Sequence, residues 1–178
     1  MISDLGAHMF YCARELMGPV SHVASVLNAD TEKNSEDGDA IQSSSDSALI
    51  AMRFSGGSVG SIATSRVVRP AANDLASILV SGSRGTVSLR FSPKDGMILH
   101  GKQDDQEEAE HLEPPAEMEK GFSSLTSTTG GTADFVRSVM AGQPAVPDFA
   151  EGYEVQRLID ASVIADAEHR EVEISAVR

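Results

Sequence analysis

The chain is short of cysteine, of basic residues and of long apolar runs, and each shortage closes off a class of protein. Its single cysteine, Cys12, allows no intramolecular disulfide and fits a reducing compartment. Only 14 basic residues face 27 acidic ones, a net charge of −13. Such a surface repels phosphate backbones and anionic lipid heads, so neither nucleic acid nor a membrane is expected as a partner. No segment approaches the roughly 18 continuous apolar residues of a membrane span. Met1-Ile2-Ser3-Asp4 enters a helical pattern at once, without the basic-then-apolar order of a targeting signal, and a cytoplasmic location is expected. So abrupt a start implies a preceding segment, where any targeting signal of a longer parent would lie.

Several catalytic signatures are also missing. Gly56-Gly57-Ser58-Val59-Gly60 lacks the G-x-G-x-x-G order and lies between two strand-like runs, and no G-x-x-x-x-G-K-[ST] occurs. No cofactor-binding residue is therefore expected in this chain. No serine sits in a G-x-S-x-G setting, which leaves a hydrolase triad unsupported. His8 and Cys12 are four apart, but two ligands on one helix without a C-x-x-C or H-E-x-x-H partner make a poor metal centre. His22, His100, His111 and His169 have no helpful spacing. No metal site is expected.

What is present reads as one α+β domain. A length of 178 residues suits a single core, and an apolar fraction of 40% leaves room for solvated stretches. Residues 4–17 read as a helix capped by Ser3 and stopped at Gly18-Pro19, with Leu5, Met9, Cys12 and Leu16 as its buried stripe. Strands are expected at 20–28, 48–54 and 59–68, the last two joined by the Ser55-Gly56-Gly57-Ser58 turn. A second hairpin spans 75–80 and 86–91 around Ser81–Gly85, with a return at 97–100. Residues 31–47 and 102–120, rich in charge and poor in apolar side chains, read as solvated loops. Helices follow at 132–141 and 149–168, the second burying Val155, Leu158, Ile159 and Ser162. A strand over 171–176 ends the chain. Hairpins without intervening helices imply an open, mainly antiparallel sheet with helices on one face.

The most informative segment is Asp4-Leu5-Gly6-Ala7-His8. An Asp and a His four apart share a helix face, near enough for a carboxylate to orient an imidazole or share its proton. Asp4, His8, Tyr11 and Glu15 form a polar stripe about 100° from the apolar one. Gly6 costs nearly 1 kcal/mol against alanine in a helix, which hints at close approach by a backbone or a ligand. On physics alone a surface Asp–His pair is more often ornamental than catalytic. Arg66, near a strand end, either meets a substrate hydroxyl or carboxylate or is a solvated end charge.

Asp4-Leu5-Gly6-Ala7-His8, with its helix closing at Leu16-Met17-Gly18-Pro19, resembles the start of the C-terminal domain in the Gfo/Idh/MocA family (glucose–fructose oxidoreductase, inositol dehydrogenase, rhizopine catabolism). Ser61-Ile62-Ala63-Thr64-Ser65-Arg66 resembles the family's central strand, and Val80-Ser81-Gly82-Ser83-Arg84-Gly85-Thr86-Val87 its "GSKGTL"-like hairpin. Phe135-Val136-Arg137-Ser138-Val139 with Gly142, and Phe149-Ala150-Glu151-Gly152-Tyr153 through Gln156 to Asp160-Ala161, look like its two closing helices. The likeness runs in order over nearly the whole chain.

This resemblance implies residues 1–178 as the substrate-binding and oligomerisation domain, of the type also seen at the C-terminus of glyceraldehyde-3-phosphate dehydrogenase, without the Rossmann domain that binds NAD or NADP. It implies an oxidoreductase acting on a sugar, polyol (inositol among them) or related secondary alcohol, inactive as an isolated chain and a homodimer or homotetramer through its open sheet face. Asp4 and His8 would be the catalytic pair, with Tyr11 and Arg66 against the substrate. His8 would remove the hydroxyl proton, and a lysine of the nucleotide domain usually completes the site. Many relatives carry an Asp where this chain has Tyr11, an altered polar face. The alternative is a stand-alone, non-catalytic oligomerising or carbohydrate-binding module.

Overall fold

Alternation of side chains sets the first sheet. The computed structural model describes residues 1–29, 45–67, 74–92, 94–114 and 130–178. It divides into two compact units, Met1–Val68 with Val146–Arg178, and Arg69–Ala145. In the first unit β1 (Val20–Asn28), β2 (Ser47–Phe54) and β3 (Val59–Ser65) pair antiparallel, and β8 (Val172–Glu173) adds to β1, in the order β3-β2-β1-β8. Val23, Ala48, Ile50, Met52, Phe54 and Ile62 are buried, whereas Val26, Leu49 and Val59 are exposed. A period of two in burial marks a sheet covered on one side.

The cover is α3 (Phe149–Glu168). Asp148 caps it, its carboxylate accepting from the backbone N–H groups of Ala150 at 2.8 Å and Glu151 at 3.0 Å. Val155, Leu158, Ile159 and Ser162 are buried, as their spacing predicts. Polar bonds fix the register on the sheet: the Ser25 hydroxyl donates to the Ser162 carbonyl at 2.5 Å, and the Leu27 N–H donates to Asp166 Oδ1 at 2.9 Å. Only Val172–Glu173 of the strand expected over 171–176 pairs; Ile174–Ala176 is a 3₁₀ turn. There the Arg157 guanidinium donates to the carbonyls of Ile174 at 2.5 Å and Val177 at 3.0 Å, drawing them away from any ladder.

The N-terminal helix differs most from its expected form. It begins at Ile2 as a π-helical turn, Ile2–Gly6, and continues as α1 (Ala7–Met17). Ser3 does not cap it but lies exposed inside the turn. The buried stripe is Ile2, Gly6 and Phe10, with Ala13 and Met17 packed beside the core; Leu5 and Leu16 are exposed, and Met9 and Cys12 half-buried. The i→i+5 turn shifts the phase of the helix start, and the core takes Phe10, which is fully buried. Gly6 serves this packing: a Cβ there would stand 3.0 Å from Ile2 Cγ1. Gly18, at φ 85°, ends the helix as foreseen.

The second unit is a meander of β4 (Ala76–Gly82), β5 (Gly85–Ser92), β6 (Gly96–Gln103) and β7 (Glu110–Leu112), in that order, with α2 at Gly130–Met140. The first turn shrinks to Ser83-Arg84, since Gly82 and Gly85 already pair. Gly85 has φ 144°, and a Cβ there would meet the Lys102 carbonyl at 2.2 Å. The solvated loop expected at 102–120 is shorter at its start: β6 runs to Gln103, and Glu110–Leu112 forms β7. Leu112 packs over Gly101, where a Cβ would come within 2.8 Å of its Cδ1. Residues 115–120 of that stretch, and 31–44 of the other, lie outside the described residues; Ser47 already belongs to β2.

The architecture is thus α+β, with open antiparallel sheets and no closed barrel among the described residues. Phe10→Ala should cost about 3–5 kcal/mol in urea unfolding, and Leu16→Ala within about 0.5 kcal/mol. Equal losses would show that the stripe runs through Leu16 after all.

Candidate active site

The polar face of the N-terminal helix is assembled by contacts distant in sequence. Thr64 donates from its hydroxyl to Met1 Sδ at 3.4 Å, seating the chain start on β3. One turn further, Asp4 meets Arg66, whose guanidinium donates to Asp4 Oδ2 across 62 residues of chain. Both side chains are about half exposed (52% and 56%). Backbone bonding places Arg66, whose N–H donates to the Asp46 carbonyl at 2.9 Å. Exposed carboxylate–guanidinium pairs contribute little stability, so this one matters for where it holds the two groups.

His8 stands one turn after Asp4, exposed and without a hydrogen-bond partner among the described residues. No bond joins Asp4 to His8; the carboxylate that was expected to orient the imidazole is held by Arg66 instead. Tyr11 follows, half-buried, and burial first, then the negative charges of Glu15 and Glu151, push its phenol above the ordinary value of 10.0. It is a neutral hydrogen-bond donor at physiological pH. Burial likewise raises the Cys12 thiol, which leaves it a poor nucleophile.

Sequence reading missed one element of this face. Arg14 reaches from α1 to Glu151 in the first turn of α3, Nη1 to Oε2 at 2.8 Å, and both are largely shielded. With 137 residues between them, no local spacing announces the pair. It fixes α1 against α3 and puts a second carboxylate near Tyr11. Together the face offers a compensated carboxylate, an open imidazole and a neutral phenol: acceptors and donors for a hydroxylated ligand, with one group able to take a proton. The two glycine turns, after β2 and after β4, each join antiparallel strands and are not the strand-to-helix turn of a dinucleotide cradle.

An open antiparallel sheet with a helix on its inner face defines an α+β domain, a fold that does not by itself assign a function. Residues 1–174 match the family described as "Oxidoreductase family, C-terminal alpha/beta domain", Gfo/Idh/MocA, and the chain belongs to that family. Among solved structures it is similar to levoglucosan dehydrogenase in complex with NADH and L-sorbose, at 22% identity and a TM-score of 0.78, over 96% of this chain and 49% of that one. It is also similar to an NAD-binding oxidoreductase from Klebsiella pneumoniae, at 19% identity and a TM-score of 0.74, over 97% and 50%. An oxidoreductase from Agrobacterium radiobacter in complex with NAD+, L-tartaric acid and magnesium follows at 18% and 0.70, over 99% and 49%. The chain spans about half the length of each of these. No curated protein matches it.

Tyr11 offers a direct test of the electrostatics. A raised phenol pKa means that folding favours the protonated form. Its stabilisation is whole below about pH 10 and is lost as pH rises through the folded value. Tyr11 and Tyr153 are the only tyrosines, so the difference in 295 nm absorbance between the native chain and Tyr11→Phe isolates Tyr11. Its ionisation should fall above that of free tyrosine; a midpoint at or below pH 10 would contradict the packing.

Proposed function

We propose that this chain is the substrate-binding and oligomerisation domain of an NAD(P)-dependent oxidoreductase that acts on a sugar, a polyol such as inositol, or a related secondary alcohol. The observation that carries this reading is the open imidazole of His8 one turn from Asp4, which Arg66 compensates. Family membership and the sugar ligand named for one structural relative support the substrate class.

In this reading His8 takes the hydroxyl proton of the bound alcohol. Asp4, its charge answered by Arg66, accepts a hydrogen bond from a neighbouring hydroxyl and so orients the bound alcohol. Tyr11 donates a hydrogen bond from the edge of the same face, and free donors of Arg66 contact a further substrate oxygen. Nicotinamide, which supplies the hydride acceptor, is held by the nucleotide-binding half of the enzyme and not by this chain. The isolated chain is accordingly inactive and works in the cytoplasm as part of the larger enzyme.

The outer face of β1–β3 serves oligomerisation. Val26, Leu49 and Ala63 lie opposite one another on that face, and Ala24, Ala51 and Ser61 form the next row. Val26 and Leu49 are exposed, giving a flat surface of small and apolar side chains that a second copy can cover by two-fold symmetry.

In the enzyme assembled with its nucleotide-binding half, His8→Gln should lower the rate of NADH formation at least about 100-fold, and Asp4→Asn should also lower it. Undiminished turnover in His8→Gln would remove the proposed base. Calorimetry should show no saturable NADH binding to the isolated chain, and tight binding would overturn the division of labour. Leu49→Arg should shift the sedimenting species from dimer to monomer.

A further inference from the structure

We infer that His100 and His111 form a two-nitrogen clip for a divalent first-row transition-metal ion of the Zn²⁺, Ni²⁺ and Cu²⁺ class, at the β6–β7 edge of the second sheet. Sequence spacing gives no reason to join them, but the antiparallel register does. His100 pairs directly with His111, so both side chains leave the same face. The ring centroids stand 5.6 Å apart with the planes at 71°. An imidazole nitrogen lies about 2 Å from a bound Zn²⁺, so two rings on one ion have centroids roughly 5 Å apart. A small side-chain rotation closes that gap, and edge-on rings are free to make it.

Neighbouring charges favour a cation here. Glu113, just beyond the end of β7, has Oε1 3.5 Å from His111 Nε2. Its side chain is 88% exposed and free to swing toward an ion between the rings. The connection from β6 to β7 carries Asp104, Asp105, Glu107 and Glu108, and β7 itself begins with Glu110. Lys102, two residues after His100, is the one opposing charge of this segment. Such a field concentrates divalent cations at the edge. Imidazole then selects borderline transition metals over Mg²⁺ and Ca²⁺, which prefer all-oxygen shells. As they stand, no three His, Cys, Asp or Glu side chains among the described residues converge into a closed cage. The clip therefore supplies two nitrogens, Glu113 can add a third ligand, and water completes the shell.

The consequence is structural. β7 has three residues and, among the described residues, pairs with β6 alone, so bridging the strands through their side chains holds a weak edge in place. The site is independent of the alcohol-oxidising reading, since no residue of that face takes part.

The test is a calorimetric titration of the 178-residue chain with Zn²⁺ and with Ni²⁺ at pH 7.5, repeated on variants. One ion should bind saturably. His100→Gln and His111→Gln should each weaken it at least about tenfold, while His22→Gln/His169→Gln together should leave the affinity unchanged. Mg²⁺ should not compete. Ring resonances of His100 and His111 should shift on adding Zn²⁺ to the native chain, a reading that needs no variant to fold. Amide exchange over residues 110–112 should slow with metal bound. The absence of saturable binding, an affinity indifferent to both His100→Gln and His111→Gln, or unmoved His100 and His111 resonances would each overturn the clip.

Discussion

The inner face of the β3-β2-β1-β8 sheet must be taken out of water, and the first unit is arranged around that requirement. Val23, Ile50 and Ile62 offer an apolar surface, α3 packs on β1 and β8 with Val155, Leu158 and Ile159 buried in the same core, and each such side chain contributes about 1.5–3 kcal/mol. Phe10 fills the remaining part of the core from α1. Once Phe10 points inward, the rest of α1 is set in rotation, and the polar face of His8 follows from it. The site is therefore a by-product of core packing in the literal sense: the side chain that anchors the helix decides which others meet solvent.

That dependence explains which features could be read from the sequence. The long C-terminal helix was legible because its apolar residues keep a 3.6-residue period from an Asp148 cap onward, with no competing local signal. The paired strands were legible because half-buried strands alternate. The N-terminal helix was placed but its rotation was not, because a π-turn breaks the period on which a stripe is counted, and two overlapping apolar sets, Leu5/Met9/Cys12/Leu16 and Ile2/Phe10/Met17, compete for the core. β7 was invisible for a different reason. Glu110-His111-Leu112 reads as solvated charge, and only the space above Gly101 reveals why Leu112 returns to the sheet.

At the site, residue identities were legible and relations were not. Asp4, His8, Tyr11 and Arg66 stand out as chemistry on or near one helix face, and the structure seats Asp4 and Arg66 together. Yet the partner assigned to Asp4 changes from an imidazole four residues away to a guanidinium from the end of β3. Helical spacing reports neighbours within one element; it is blind to what another strand brings.

Charge allocation links the two regions with chemistry. In a chain with 14 basic and 27 acidic residues, cations are scarce, and most arginines of the described structure are committed to a carboxylate: Arg14 to Glu151, Arg53 to Glu171, Arg66 to Asp4, Arg90 to Asp74, Arg157 to Glu154. Spending one of them on the exposed Asp4 yields little stability, so its value lies in what it leaves free. With Asp4 answered by Arg66, His8 has no hydrogen-bond partner among the described residues. At the β6–β7 edge the allocation is reversed. Among the described residues no arginine is paired with the carboxylates around Asp104–Glu110, and two imidazoles stand on one face of the strand pair beside them. In the roles we propose, the same residue type thus serves a hydroxyl proton where the carboxylate is compensated, and a metal cation where the carboxylates are not.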